Sequence, residues 1–228
     1  MNFFEGIFAL FSTSKYMDML LEGLGTTLLI SVAAAVLGLL LGTIVALINL
    51  CPSNPIMWLP KTLSKIYVTI IRGTPMALQL YIMFYVIFTF RGFPETVTAI
   101  IAFGINSGAY VAEIFRGGIM SIDKGQMEAG RSIGMSYGQT MWHIIAPQVI
   151  KNVLPTLCNE FITLIKETSI AFNLGVSELT NAGDRIRGQT YSPFMPLIAV
   201  ALIYLVIVVI LTKLVGILER RLRQSDAR

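Results

Sequence analysis

LGTTLLISVAAAVLGLLLGTIVALINL, residues 24–50, decides the class of this protein. The stretch contains no charged side chain, and it is longer than the roughly 20 apolar residues that a helix needs to cross the hydrocarbon core of a bilayer. Backbone groups in lipid must be hydrogen-bonded within their own segment. We therefore expect a membrane-spanning α-helix here.

Four further segments, on the C-terminal side of this stretch, also have the length and composition of spans. They are residues 66–90, 96–115, 150–174 and 194–217. The sequence thus predicts an all-α integral membrane protein with five transmembrane helices, forming one domain over residues 1–228.

The composition excludes most other classes. Hydrophobic residues make up 55% of the chain and charged residues 13%, against about 25% charged in a soluble domain. This argues against a disordered chain, a nucleic-acid-binding module and an ordinary soluble enzyme. Two cysteines and one histidine provide neither a disulfide framework nor a metal cluster, and no phosphate-binding loop or catalytic triad is present. We expect a non-catalytic chain without a metal site.

The distribution of positive charge predicts the orientation. Most of the 17 Lys and Arg residues fall in segments that would share one face of the membrane, which is then the cytoplasmic face. The N-terminus is accordingly expected outside and the C-terminus inside. Residues 1–11 contain Glu5 and no Lys or Arg, so we do not expect a cleavable signal peptide there.

Ionisable and polar side chains at membrane depth are the candidates for function, because burying them in lipid is costly. Glu160 lies near the middle of the fourth predicted span, with Thr163 on the same helical face. One interpretation is a carboxylate that binds a cation in a translocation path. The other is an internal ion pair, for example with Arg72. A second polar patch, Asn106 and Ser107, lies midway along the third span.

Two further patterns concern helix packing and helix breaks. Gly104 and Gly108 form a G-x-x-x-G pattern, for which a close helix contact is the favoured interpretation, and Gly38 and Gly42 are expected to serve packing as well. Residues 72–75, Arg-Gly-Thr-Pro, interrupt the second span. The interruption indicates either a broken helix near a substrate site or a plain proline kink.

The longest predicted cytoplasmic segment is residues 116–149. Asp123 is expected to cap a helical run over residues 127–145, and Pro147 and Pro155 are expected to bracket the entry to the fourth span. Glu128-Ala129-Gly130, Gly134 and the ending at residues 144–147 resemble the "EAA" loop of ABC-importer permease subunits. Residues 72–79, 107–116 and 148–169 extend the resemblance to the polar-amino-acid subfamily.

The resemblance implies the type I ABC importer permease architecture, with a coupling helix at about residues 123–135 that docks on a separate ATPase subunit. The coupling positions would be Asp123, Gln126, Glu128, Ala129, Gly130, Ser132, Gly134 and Met135. It also implies a second permease subunit, an extracytoplasmic amino-acid-binding protein, a prokaryotic cell membrane, and ATP and Mg on the ATPase rather than on this chain.

Within the subfamily, a carboxylate at the Glu160 position and an amide at the Asn106 position hold a basic amino acid. The resemblance therefore implies import of arginine, histidine or lysine by alternating access, with Arg72, Ser107 and Thr163 as further candidate substrate contacts. Two other classes stay open on the sequence. One is a gradient-driven secondary transporter or channel that uses Glu160 as an ion site, and the other is a non-transporting membrane scaffold or sensor.

Overall fold

The computed structural model describes residues 10–51 and 54–226, with side chains as far as residue 222. These residues form helices and turns and no β-strand. The helices are α1 (Ser14–Leu50), α2 (Pro55–Gly73), α3 (Met76–Ile82), α4 (Glu95–Met120), α5 (Lys124–Ser132), α6 (Tyr137–Thr140), α7 (Ala146–Glu167), α8 (Leu179–Thr190) and α9 (Met195–Asp226). Met83–Ile87 and Met141–Ile145 are π-helical turns, and Thr168–Leu174 is 3-10 helical. The expectation about a signal peptide falls almost wholly outside the described residues.

The core of the bundle lies along α4. Phe103 of α4 meets Ile30 of α1 and Leu80 of α3 in the central cluster of buried apolar side chains. Separate clusters hold the two ends: α8 and α9 pack on the start of α1, while Ile145 and Val149 pack near the end of α4. In its most apolar stretch, α4 is 61% buried, against 17% for α9. The polar residues of α4 are therefore at the centre of the molecule.

Glycines allow α1 and α4 to approach each other, as the sequence predicts. A Cβ atom on Gly38 would lie 2.8 Å from the Ser107 Cβ, and one on Gly42 would lie 2.5 Å from Val111 Cγ1 and 2.8 Å from the Gly108 carbonyl oxygen. Since real Cβ atoms do not come this close, a larger residue would force the helices apart.

We expect Gly42→Val to destabilise the protein by about 2–3 kcal/mol, because the side chain must displace both Val111 and the backbone of α4. Thermal unfolding in detergent measures the effect as a lowered midpoint. Gly25→Val is the matched control, since a Cβ there meets nothing within 4 Å. Equal midpoints for the two variants would contradict this account of the helix contact.

The structure confirms three of the predicted spans directly. The helices α1, α4 and α9 (Met195–Leu222) are each long and apolar enough to cross a membrane. A bent pair of helices, Pro55–Gly73 and Met76–Ile87, is a fourth candidate. The fourth predicted span, residues 150–174, is α7 followed by the 3-10 turn, and its charged side chains lower its apolar character. The total of five spans stays a prediction.

The second predicted span, residues 66–90, is not a single helix with a proline kink. The helix direction bends by 110° between its two halves, because Thr74 leaves the helical conformation for an extended one and Pro75 starts α3 in a new direction. A residue before proline is biased toward extended backbone, and here the bias breaks the helix completely. The kink interpretation is wrong and the helix is broken, whereas the location of a substrate site near the break stays a prediction.

The predicted helical run over residues 127–145 is also wrong as one helix. It divides at Gly134, which has a φ of +88°, and α6 begins with Ser136 and Gln139 capping each other. The expected end of the helix at Pro147 is also wrong, because the helical structure continues beyond α6. The π-helical turn leads directly into α7, so Pro147, in the first turn of α7, lies within a continuous helical segment to which it donates no N–H. Pro155 lies inside α7 rather than at its entry.

Candidate functional site

Glu160 of α7 lies beside Ser107 of α4 on the wall of a cavity of about 440 Å³. Cavities of roughly 300–1,000 Å³ are typical of small-molecule sites. Most of the remaining wall is apolar and includes Leu39 of α1 and Leu214 of α9. Among the described residues, no Lys or Arg forms an ion pair with Glu160. A carboxylate without a cationic partner thus faces an apolar cavity of ligand size.

The proposed ion pair between Arg72 and Glu160 is wrong. Arg72, at the end of α2, places Nη1 3.1 Å from Glu113 Oε2 and its guanidinium 5.4 Å from the centre of the Tyr110 ring. Glu113 also accepts two hydrogen bonds from Arg116, at 2.9 and 2.8 Å. Because Arg72 forms an ion pair with Glu113 of α4, this cluster holds the C-terminal end of α2 against α4.

Asn106 is joined to the helix break through Gln79. The Gln79 Nε2 donates to the carbonyl oxygens of Ile71 (2.7 Å) and Thr74 (3.1 Å), and to the Thr74 hydroxyl (2.8 Å). The Gln79 Oε1 then accepts a hydrogen bond from the Asn106 Nδ2 at 3.0 Å. One amide side chain therefore stabilises the free carbonyls at the break and fixes the orientation of Asn106.

We expect Gln79→Leu to lower the free energy of unfolding by about 1–3 kcal/mol, because the carbonyl groups of Ile71 and Thr74 lose their hydrogen-bond donor. Thermal unfolding and protease sensitivity of the segment around residue 74 measure the effect. Gln189→Leu is the matched control, since Gln189 is an exposed residue of α8 whose amide has only a 4.0 Å contact to the Met19 sulfur. A Gln79→Leu variant as stable as this control would contradict the assigned role.

The structure brings some of the predicted substrate residues together and separates others. Glu160 and Ser107 share the cavity, whereas Asn106 faces α3 and Arg72 faces Glu113. Thr163 is half-buried one helical turn beyond Glu160. The five residues therefore lie around one region of α4, α7 and the helix break without lining a single cavity.

The predicted coupling segment forms a short helix with both ends held. The Asp123 side chain accepts a hydrogen bond from the Gly125 N–H at 2.6 Å, which confirms the predicted cap of α5. At the other end, the Met135 N–H donates to the Gly130 carbonyl at 3.2 Å across the left-handed Gly134. A Cβ on Gly130 would lie 2.5 Å from Thr140 Cγ2, so glycine is needed where α5 crosses α6.

The predicted coupling residues are mostly exposed on this loop. The Glu128 side chain is exposed and has no hydrogen-bond or ion-pair partner in the described part of the chain. Ala129 and Ser132 are exposed beside it, Met135 is half-buried, and Gln126 lies 3.5 Å from the Gln148 amide. The loop thus presents a polar surface on two short helices, α5 and α6, which pack against each other at Gly130 and Thr140.

Sequence reasoning missed a buried polar cluster at the opposite end. Glu178, which has no exposed surface, accepts hydrogen bonds from the Thr180 and Asn181 N–H groups, both 2.8 Å, and from the Tyr204 hydroxyl at 3.0 Å. Burial raises the pKa of Glu178, while these hydrogen bonds oppose the rise. A Glu before Leu-Thr-Asn is a weak signal for a helix cap, because Ser, Thr, Asp and Asn dominate that position. The cluster joins α8 to α9.

A family model described as "Binding-protein-dependent transport system inner membrane component" matches residues 38–224. The arginine transport system permease protein ArtQ of Bacillus subtilis is 38% identical over 217 residues, covering 94% of this chain and 97% of that protein. The L-cystine transport system permease protein TcyB of the same organism is 36% identical over 219 residues, covering 94% and 91%. A crystal structure of an amino acid ABC transporter with histidines contains a chain that is 39% identical, with a TM-score of 0.86 and coverage of 93% and 98%.

Proposed function

The chain belongs to the family of binding-protein-dependent transport system inner membrane components, and on this basis we propose that it carries a basic amino acid into the cytoplasm by alternating access. It is the permease component of an amino acid ABC importer and a membrane protein. It is not catalytic, since ATP is hydrolysed by a separate subunit. The relatives are named for the transport of different amino acids, among them arginine and L-cystine, so we infer the substrate from the site.

The Glu160 carboxylate, which lies in an apolar cavity and forms no ion pair with the described Lys and Arg residues, is the observation that carries the substrate proposal. A guanidinium, ammonium or imidazolium group entering the cavity would form charge-assisted hydrogen bonds with it, and these are strong where water is excluded. Arginine, lysine and histidine are the amino acids that supply such groups. The named arginine relative and the structure with histidines agree with this class.

The orientation of Asn106 favours the same class of ligand. Because Gln79 uses its Nε2 on the carbonyls of the helix break, its oxygen faces Asn106 and receives the Asn106 Nδ2. The Asn106 Oδ1 then stays available as an acceptor. Ser107 and Thr163 are proposed to complete the polar contacts beside Glu160. Arg72 is proposed to attract the ligand carboxylate, a weaker role because Glu113 already engages its charge.

The loop geometry supports a mechanical role for α5. We assign α5 as the coupling helix that docks on the ATPase, through the coupling residues named above. The π-helical turn makes α6 and α7 one continuous helical segment, and α7 carries Glu160. A push on α5, which packs on Thr140 through Gly130, would therefore reach Glu160 along one continuous helical segment.

The remaining partners follow from the same assignment. The chain is proposed to pair with a second permease subunit, to receive substrate from an extracytoplasmic amino-acid-binding protein, and to work in a prokaryotic cytoplasmic membrane with ATP and Mg held by the ATPase. The N-terminus is proposed to lie outside and the C-terminus in the cytoplasm, because the basic loops then face inward.

Cys51 provides a test of this orientation, because it is exposed at the end of α1 that the proposal places in the cytoplasm. In sealed right-side-out vesicles of a Cys158→Ser variant, we expect a membrane-impermeant maleimide to leave Cys51 unlabelled until the vesicles are opened. Arg91→Cys, in the loop before α4, is the control that sealed vesicles should label. Labelling of Cys51 in sealed vesicles would reverse the assigned topology.

The substrate class is tested by ATP hydrolysis of the reconstituted importer in the presence of its binding protein. Arginine, lysine or histidine should stimulate hydrolysis, and glutamine and cystine should not. Stimulation by glutamine or cystine, with none by the three basic amino acids, would contradict the proposal.

A further inference from the structure

A second cavity lies at the end of the bundle from which the 121–145 loop projects. Its volume is about 550 Å³, and α1, α2 and α4 line it. Lys61 and Lys65, one turn apart on α2, face it together with Arg116 of α4. The Ser64 hydroxyl lies between the two lysines and donates to the Asn49 side chain of α1 at 3.1 Å. The cavity therefore combines three cationic side chains with a polar floor.

The one acidic residue named on this wall, Glu113, engages Arg116 rather than the two lysines. Glu113 is already bound by Arg116 and by Arg72, which reaches it from the helix break. Lys65 is exposed and has no hydrogen-bond or ion-pair partner in the described part of the chain. The cavity accordingly keeps a net positive charge suited to an anion.

The outer surface of α2 beside the lysines is apolar. Ile56, Trp58 and Leu59 are exposed by 82%, 68% and 55%. Trp58 also lines a neighbouring cleft that has Lys61 and Lys65 on its wall. A tryptophan next to lysines and an apolar stripe is the arrangement found where a protein meets the headgroup level of a bilayer.

We propose that Lys61 and Lys65, beside the Glu113-bound Arg116, form a binding site for the phosphate headgroup of an anionic phospholipid, whose acyl chains lie along the apolar stripe of α2. Basic pockets between membrane helices bind anionic headgroups in this way. The stripe distinguishes a lipid from free phosphate, which would gain nothing from apolar contacts. The site is separate from the Glu160 cavity and does not depend on the identity of the transported substrate.

The test is native mass spectrometry of the full chain released from nanodiscs of phosphatidylcholine with or without phosphatidylglycerol. The wild-type chain should retain phosphatidylglycerol and not phosphatidylcholine. Lys61→Gln/Lys65→Gln should bind phosphatidylglycerol roughly thirtyfold more weakly, from the loss of two positive charges near the headgroup. Lys61→Arg/Lys65→Arg should still bind phosphatidylglycerol, because this variant keeps both positive charges.

Lys15→Gln/Lys213→Gln is the matched control, because it removes two exposed lysines that do not line the cavity. Equal phosphatidylglycerol binding by the two Gln variants would overturn the site. Displacement of the lipid by inorganic phosphate at constant ionic strength would overturn the choice of a lipid in favour of a free anion. If the wild-type chain retained no phosphatidylglycerol, the proposal would be overturned, and a protein partner would be favoured as the occupant of this surface.

Discussion

Glu160→Gln is expected to lower the import of a basic amino acid by about two to three orders of magnitude. The carboxylate has no cationic partner in the described structure, so a positively charged ligand is the group that balances it. Removing one member of a buried ion pair costs about 3–5 kcal/mol, because the other charge is left uncompensated. At about 1.4 kcal/mol for each factor of ten, the effect on uptake is large.

Uptake of labelled arginine, lysine or histidine into proteoliposomes measures this effect, with basal ATP hydrolysis recorded in parallel. Basal hydrolysis should stay close to that of the wild type, because Glu160 lies on α7 outside the coupling segment at residues 123–135 and is not expected to contact the ATPase. Glu95→Gln, an exposed carboxylate in the first turn of α4, is the matched control and should transport normally. Unchanged uptake of basic amino acids by Glu160→Gln would refute the assigned pocket.

Gly134→Val is expected to uncouple ATP hydrolysis from transport, with uptake reduced roughly tenfold or more. Gly134 has a φ of +88°, and a β-branched residue is an outlier in that region. The strain of about 1–3 kcal/mol would be relieved by moving the turn, which shifts α5 relative to α6. No atom lies within 4 Å of the position of an added Cβ, so the effect isolates backbone conformation from steric clash.

The two activities separate this result from general instability. Hydrolysis by the assembled importer should continue while uptake falls, and the unfolding midpoint of the variant should stay near that of the wild type. Gly188→Val is the control, since Gly188 lies in α8 with open space around it and an ordinary helical φ. A coupled, fully active Gly134→Val variant would show that the left-handed turn does not serve coupling.

Local chemistry made much of the fold predictable. Residues 24–50 formed a span because length and apolar composition alone impose a helix in lipid. Asp123 capped α5 as expected, because a short acceptor side chain satisfies the free N–H groups of a helix start wherever it occurs. The break at residues 72–75 was also recognisable from its Gly and Pro, although its 110° angle was not.

Features that depend on distant contacts were not predictable. The cap that Gln79 provides joins residues 71, 74 and 106, and the chain gives no local sign of such a network. Arg72 was proposed as a partner of Glu160 because both are ionisable, but packing of α2 on α4 brings it to Glu113 instead. The passage through Pro147 into α7 was missed because a π-helical turn changes the bonding register without a distinct sequence pattern.

We propose that this permease imports a basic amino acid at the expense of ATP hydrolysed by a partner subunit. The most direct test of this proposal is uptake of labelled arginine, lysine and histidine into proteoliposomes that contain the chain with its ATPase subunit and binding protein. We expect uptake of at least one of them, which requires ATP and the ATPase subunit and falls by about two to three orders of magnitude in Glu160→Gln. Uptake by the chain without the ATPase, driven by a proton gradient, would contradict the account and identify a secondary transporter.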